Sequence, residues 1–99
     1  YANNNNIINI DNCEFSNNGW AGIYFSRISD SETLTDCPFM LTNSTFYNNY
    51  HGIYVGDHNS ICAEYNTIEN NDDRGIHLNR DHPNYDNIRF NYNNIHDNK

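Results

Sequence analysis

Cations are scarce in this sequence: Lys and Arg number 5 against 13 Asp and Glu, a formal charge of −8. Phosphate binding needs clustered Lys and Arg, so nucleic acid is excluded as a partner. The same deficit argues against an anionic membrane surface. No run approaches the roughly 20 apolar residues of a bilayer span, which excludes membrane insertion by a helix. Apolar residues make up 36 % of the chain, thin for an ordinary globular core. Also missing are a C-x-x-C pair, an H-E-x-x-H helix, a Ser-His-Asp arrangement, a phosphate-cradling glycine loop and a glycine-aspartate calcium nonapeptide. No cofactor and no metal are therefore expected.

What is present is asparagine, about a fifth of the 99 residues, with 14 % aromatics and many isoleucines. Disordered chains are poor in aromatic and β-branched residues, so low hydrophobicity here points instead to a core built from short repeated strands. One phrase occurs three times: NCEFSNNGWAGIYF, NSTFYNNYHGIYV and YNTIENNDDRGIHL. With Phe15, Phe46, Ile68 and Ile95 as equivalents, the repeats are 31, 22 and 27 residues apart. Before each anchor lie Ile8/Ile10, Phe39/Leu41, Ile61/Ala63 and Ile88/Phe90. After it come Asn17-Asn18, Asn48-Asn49, Asn70-Asn71 and Asp97-Asn98. Gly22, Gly52 and Gly75 then precede Ile23/Phe25, Ile53/Val55 and Ile76/Leu78.

Each repeat thus holds three short period-2 strands. The shortest suits one turn of a three-sided solenoid, and the extra residues fall at one corner: Ser26–Asp36, Gly56–Ser60 and Asn79–Asn87. Strands stacked at about 4.8 Å place equivalent residues over one another. Asparagine at a tight bend tolerates left-handed backbone angles, and its amide can bond the asparagine above and below. Asn18, Asn49, Asn71 and Asn98 form the expected ladder. The fold expected is all-β, a solenoid of about four coils, with approximate spans 1–30, 31–58, 59–82 and 83–99 of a single segment.

These phrases resemble the right-handed parallel β-helix repeats of the pectate-lyase-like superfamily, whose consensus is close to N-x-I-x-N-N-x-x-G-I-x-L. The resemblance implies a right-handed parallel β-helix with an asparagine ladder, and polysaccharide-active or cell-surface function. It does not imply one activity, since the superfamily holds lyases, hydrolases, epimerases and non-catalytic surface proteins. The aspartates, histidine and basic pair of its polygalacturonase-like members have no clear match here, nor do the calcium aspartates and arginine of the pectate lyases.

The register reads outward too. Tyr1-Ala2 align with Tyr54-Val55, and Lys99 aligns with Tyr50, so the chain is expected to be a piece of a longer solenoid or a unit that stacks end to end into a fibre. Partners are then flanking coils or other copies, and a polysaccharide. Tyr1, Tyr24, Tyr54 and His77 form an outward column that either stacks on sugar rings or supports the sheet. At the variable corner, Arg27, Asp57 and Arg80 align, with His58 beside Asp81, as ladder support. Asp72-Asp73 with Arg74 is the nearest approach to an acidic catalytic group, but no carboxylate stacks on either aspartate, and catalytic residues remain unassigned. The histidines, His51, His58, His77, His82 and His96, read as solvated, with His51 and His77 meeting only if their corner bends favourably. Of Cys13, Cys37 and Cys62, the last two fall about 10 Å apart along adjacent coils, too far for a disulfide unless the long insert closes the gap. Asn43-Ser44-Thr45 is a glycosylation triplet and fits an extracellular or cell-surface protein. The function expected is a structural or carbohydrate-facing segment, with a piece of a polysaccharide-active enzyme as the alternative.

Overall fold

In a computed structural model, the described residues are 8–25, 39–56, 60–78 and 87–99. The first coil contributes β1 (Ile8–Asp11), β2 (Glu14–Ser16) and β3 (Ala21–Phe25). The second contributes β4 (Phe39–Thr42), β5 (Thr45–Tyr47) and β6 (His51–Val55), and the third β7 (Ser60–Glu64), β8 (Thr67–Glu69) and β9 (Arg74–Leu78). β10 (Asn87–Asn91) and β11 (Asn94–His96) complete the described strands.

Every strand pairs in parallel with its equivalent on the neighbouring coil, giving three sheets. Sheet 1 runs β1-β4-β7-β10, sheet 2 runs β2-β5-β8-β11 and sheet 3 runs β3-β6-β9. The register is the one the repeats imply. Phe15 lies against Phe46, Phe46 against Ile68 and Ile68 against Ile95. The inner columns bury Phe39, Leu41, Phe46, Ile53, Val55, Ile61, Ala63 and Ile68 almost completely. Apart from Ala63, each such side chain contributes about 1.5–3 kcal/mol by leaving water, and Phe15 stacks on Phe46 at 4.9 Å.

Two corners between sheets lie within the described residues, and both use left-handed backbone. Asn12, Asn43, Tyr65 and Tyr92 turn the chain from sheet 1 to sheet 2, and Asn17, Asn48, Asn70 and Asp97 start the turn toward sheet 3, with φ between 51° and 58°. The residue after each faces inward. Asn18 donates through its backbone and side chain to Asn49 Oδ1, Asn49 N donates to Asn71 Oδ1, and Asn71 donates twice to Asn98 Oδ1. The expected ladder is therefore present, with Asn49 and Asn71 buried.

The other corner carries a second ladder. Cys13 N donates to Ser44 Oγ, Ser44 N to Asn66 Oδ1, and Asn66 to Asn93 Oδ1 through both its backbone and side chain. Its column reads Cys, Ser, Asn, Asn, too mixed to stand out as a repeat.

Candidate functional site

The outer face of sheet 3 gathers rings. Tyr24 and Tyr54 stand between buried neighbours, so they point outward, in register with His77. The Tyr24 and Tyr54 rings lie 5.2 Å apart and those of Tyr54 and His77 4.5 Å apart. Tyr24, Tyr54 and His77 thus form the column that the repeat alignment implies; Tyr1 lies outside the described residues.

Trp20 joins the column from the corner before β3, 4.8 Å from Tyr24 and 5.0 Å from Tyr54. It remains 47 % exposed. The repeat alignment does not single it out, because its equivalents are Tyr50 on the next coil and Asp73 on the one after, so the column loses its aromatic character. Its being the sole tryptophan was the available signal.

His51 is the second addition and a correction. Strict alternation would put it on the inner side with Ile53, and the histidines read as solvated. It is instead 4 % exposed and packs on the outer face, 5.5 Å from Tyr54 and 4.8 Å from His77. The alternation breaks at Gly52, which faces Ile68 and the ladder amide of Asn71 as the interior residues do. The corner bends as required, and His51 Nε2 lies 3.5 Å from His77 Nδ1.

Asp73 approaches the same ring, its Oδ2 being 3.3 Å from His51 Nδ1. That distance allows charge attraction, but Nδ1 is buried and has no aligned hydrogen-bond partner. Arg74 Nη1 reaches His77 Nδ1 at 3.1 Å and Asp73 at 3.7 Å. Burial is the main cause holding the His51 pKa below the usual histidine value; the neighbouring His77 and Arg74 push the same way, and Asp73 opposes them. His51 is thus a neutral ring at neutral pH, with its two nitrogens facing a carboxylate and an imidazole.

The whole chain, residues 1–99, matches the family model for a right handed beta helix region. The chain belongs to the right-handed β-helix family. No curated protein and no solved structure matches it. Family membership agrees with the three parallel sheets and with the buried asparagines, and it names a fold that hosts many activities.

Elsewhere on this β-helix, Asp72 is exposed, and of the acidic pair only Asp73 enters the cluster. His96 bridges Glu69 at 3.1 Å and Asp97 at 2.8 Å, and so is paired rather than merely solvated. Arg27, Asp57, His58, Arg80, Asp81 and His82 lie outside the described residues. Asn43 is exposed, with its amide donating to Asp11 at 2.9 Å. Cys13 is a free, exposed thiol. Cys62 is disulfide-bonded, which corrects the expectation that strand spacing keeps it from a partner. That expectation held for regular strand spacing, with the insert 26–36 left as the exception, and Cys37 lies outside the described residues.

Proposed function

We propose that this β-helix segment presents the outer face of sheet 3 to neutral carbohydrate chains at a cell exterior. The observation that carries the reading is the run Trp20, Tyr24, Tyr54 and His77, whose successive ring centroids lie 4.8, 5.2 and 4.5 Å apart. Sugar rings pack their CH faces on aromatic surfaces, while the hydroxyl and imidazole tips accept and donate hydrogen bonds at the edge. A rigid ladder holds the rings before any ligand arrives, so little ordering entropy is lost on binding. The charge of −8 disfavours acidic polymers by long-range repulsion. An exposed Asn43 at the head of its triplet and a disulfide at Cys62 fit an oxidising exterior.

Affinity electrophoresis through gels containing neutral polysaccharides tests this reading. The chain should be retarded by at least one of them, and Tyr54→Ala should restore its mobility. Equal mobility in all such gels would contradict the proposal.

A second reading, end-to-end association, has its own support. Ile95 is 47 % exposed, whereas its equivalents Phe46 and Ile68 are fully buried. An apolar inner column left open in this way favours a further coil stacked on β11, whether from the same polypeptide or from another copy. For the enzymatic alternative, hydrolysis by paired carboxylates needs two of them about 5–9.5 Å apart across a bound sugar. Asp73 instead faces two histidines and Arg74, so the carbohydrate-binding reading is preferred.

A further inference from the structure

The proposed sugar-facing run uses the ring of His77 but leaves His51 and Asp73, which stand beside it, without a use. His51, Asp73 and His77 each offer a donor atom, and these atoms all lie within 4.8 Å of one another. The strand register sets the arrangement: His51 opposes Arg74 and Tyr54 opposes His77, so the two imidazoles meet on a diagonal between β6 and β9. Asp73 enters from the corner just before β9. The His51 side chain is 5 % exposed, and its buried Nδ1 has no aligned partner although a carboxylate stands beside it. A buried polar nitrogen in that state needs an explanation, and a ligand held jointly by two imidazoles and a carboxylate supplies one.

We propose that His51, Asp73 and His77 bind a divalent transition-metal cation, with Zn²⁺ as the representative ion. Two nitrogen donors and one oxygen match the ligand preferences of zinc, and three protein ligands leave a fourth position for water. Calcium and magnesium prefer all-oxygen shells, so two imidazoles select against them. The opposing group is Arg74, whose guanidinium lies 3.1 Å from His77 Nδ1 and 3.7 Å from Asp73. Its side chain is 53 % exposed and swings toward solvent when the cation enters. Arg74 therefore competes with the metal for the same two ligands.

Equilibrium dialysis of the full chain against Zn²⁺ alone at pH 7.5 tests the site. One saturable site per chain is expected. Asp73→Asn and His77→Ala each weaken it at least tenfold, and Arg74→Gln tightens it severalfold, an effect that misfolding would not produce. His96→Ala leaves it unchanged, because the two nitrogens of His96 point at different carboxylates, Glu69 and Asp97. Circular dichroism checks that each variant keeps its strands; Asp73 and His77 are only half-buried, so both tolerate substitution. Absence of saturable binding by the unaltered chain would overturn the proposal, as would binding that survives both Asp73→Asn and His77→Ala. With metal as the sole probe, failure here leaves the carbohydrate reading standing, and failure of the gel assay leaves the metal site standing.

Discussion

Asparagine has two tasks at the corner between sheets 2 and 3, and they fall to different members of each pair. The first member, such as Asn70, takes the left-handed backbone at φ 53° and stays exposed. The second, such as Asn71, points inward, bonding Asn98 and the Phe46 carbonyl while its own oxygen accepts from Asn49. Asn71→Ala strands a buried backbone N–H and should cost about 2–4 kcal/mol. Asn70→Ala carries only the left-handed penalty, about 1–2 kcal/mol. Urea denaturation of the two variants should rank them in that order, and equal losses would contradict the division of tasks. His51 makes a pH prediction at the same scale. Its folded pKa is depressed from 6.5, so as pH falls through 6.5 the unfolded chain takes up its proton first and stability is lost. Above 6.5 the ring is neutral in both states and contributes no slope. In chelator-containing buffer, the urea midpoint should fall between pH 7.5 and 5.5, and His51→Gln should flatten that fall. The same fall in both proteins would refute the assignment.

Strand pairing is the level at which the sequence was most readable. The anchors Phe15, Phe46, Ile68 and Ile95 stack in the expected register because a period of two leaves each strand one way to face its apolar residues inward. Where the period breaks, the reading fails. Gly52 sits on the inner side next to Ile53, so His51 lands outside, and no local count of alternation shows that. Likewise the second ladder, Ser44, Asn66 and Asn93, was hidden because its column mixes residue types. The disulfide at Cys62 was hidden because strand spacing alone does not count the effect of the long insert. Gly52 itself is fixed by space. A Cβ there would meet the Gly75 carbonyl oxygen at 2.5 Å and the Asn71 amide at 2.9 Å, and these are backbone and ladder atoms that cannot move aside. Gly52→Ala should therefore destabilise the chain by about 2–3 kcal/mol, measured by urea denaturation. Gly19→Ala should be tolerated, since an added Cβ there meets nothing within 4 Å. Similar midpoints for the two variants would show that the ladder has slack.

For the whole molecule, the stacked coils supply stiffness, and the outer face of sheet 3 is the proposed recognition surface. If further copies cover Ile95, negative-stain microscopy at rising concentration should show filaments with an axial repeat near four strand spacings, roughly 19 Å. Particles whose size does not change with concentration would contradict end-to-end growth. The central claim, that sheet 3 faces carbohydrate, has a built-in reporter, because the sole tryptophan, Trp20, lies against both Tyr24 and Tyr54. The most direct measurement is a titration of its fluorescence with neutral oligosaccharides of increasing length. A saturable change in emission that strengthens as the sugar grows from one ring to three or four, and that Tyr54→Ala abolishes, is the predicted result. Emission unchanged by every oligosaccharide, with Trp20 still quenchable by iodide and hence accessible, would contradict it.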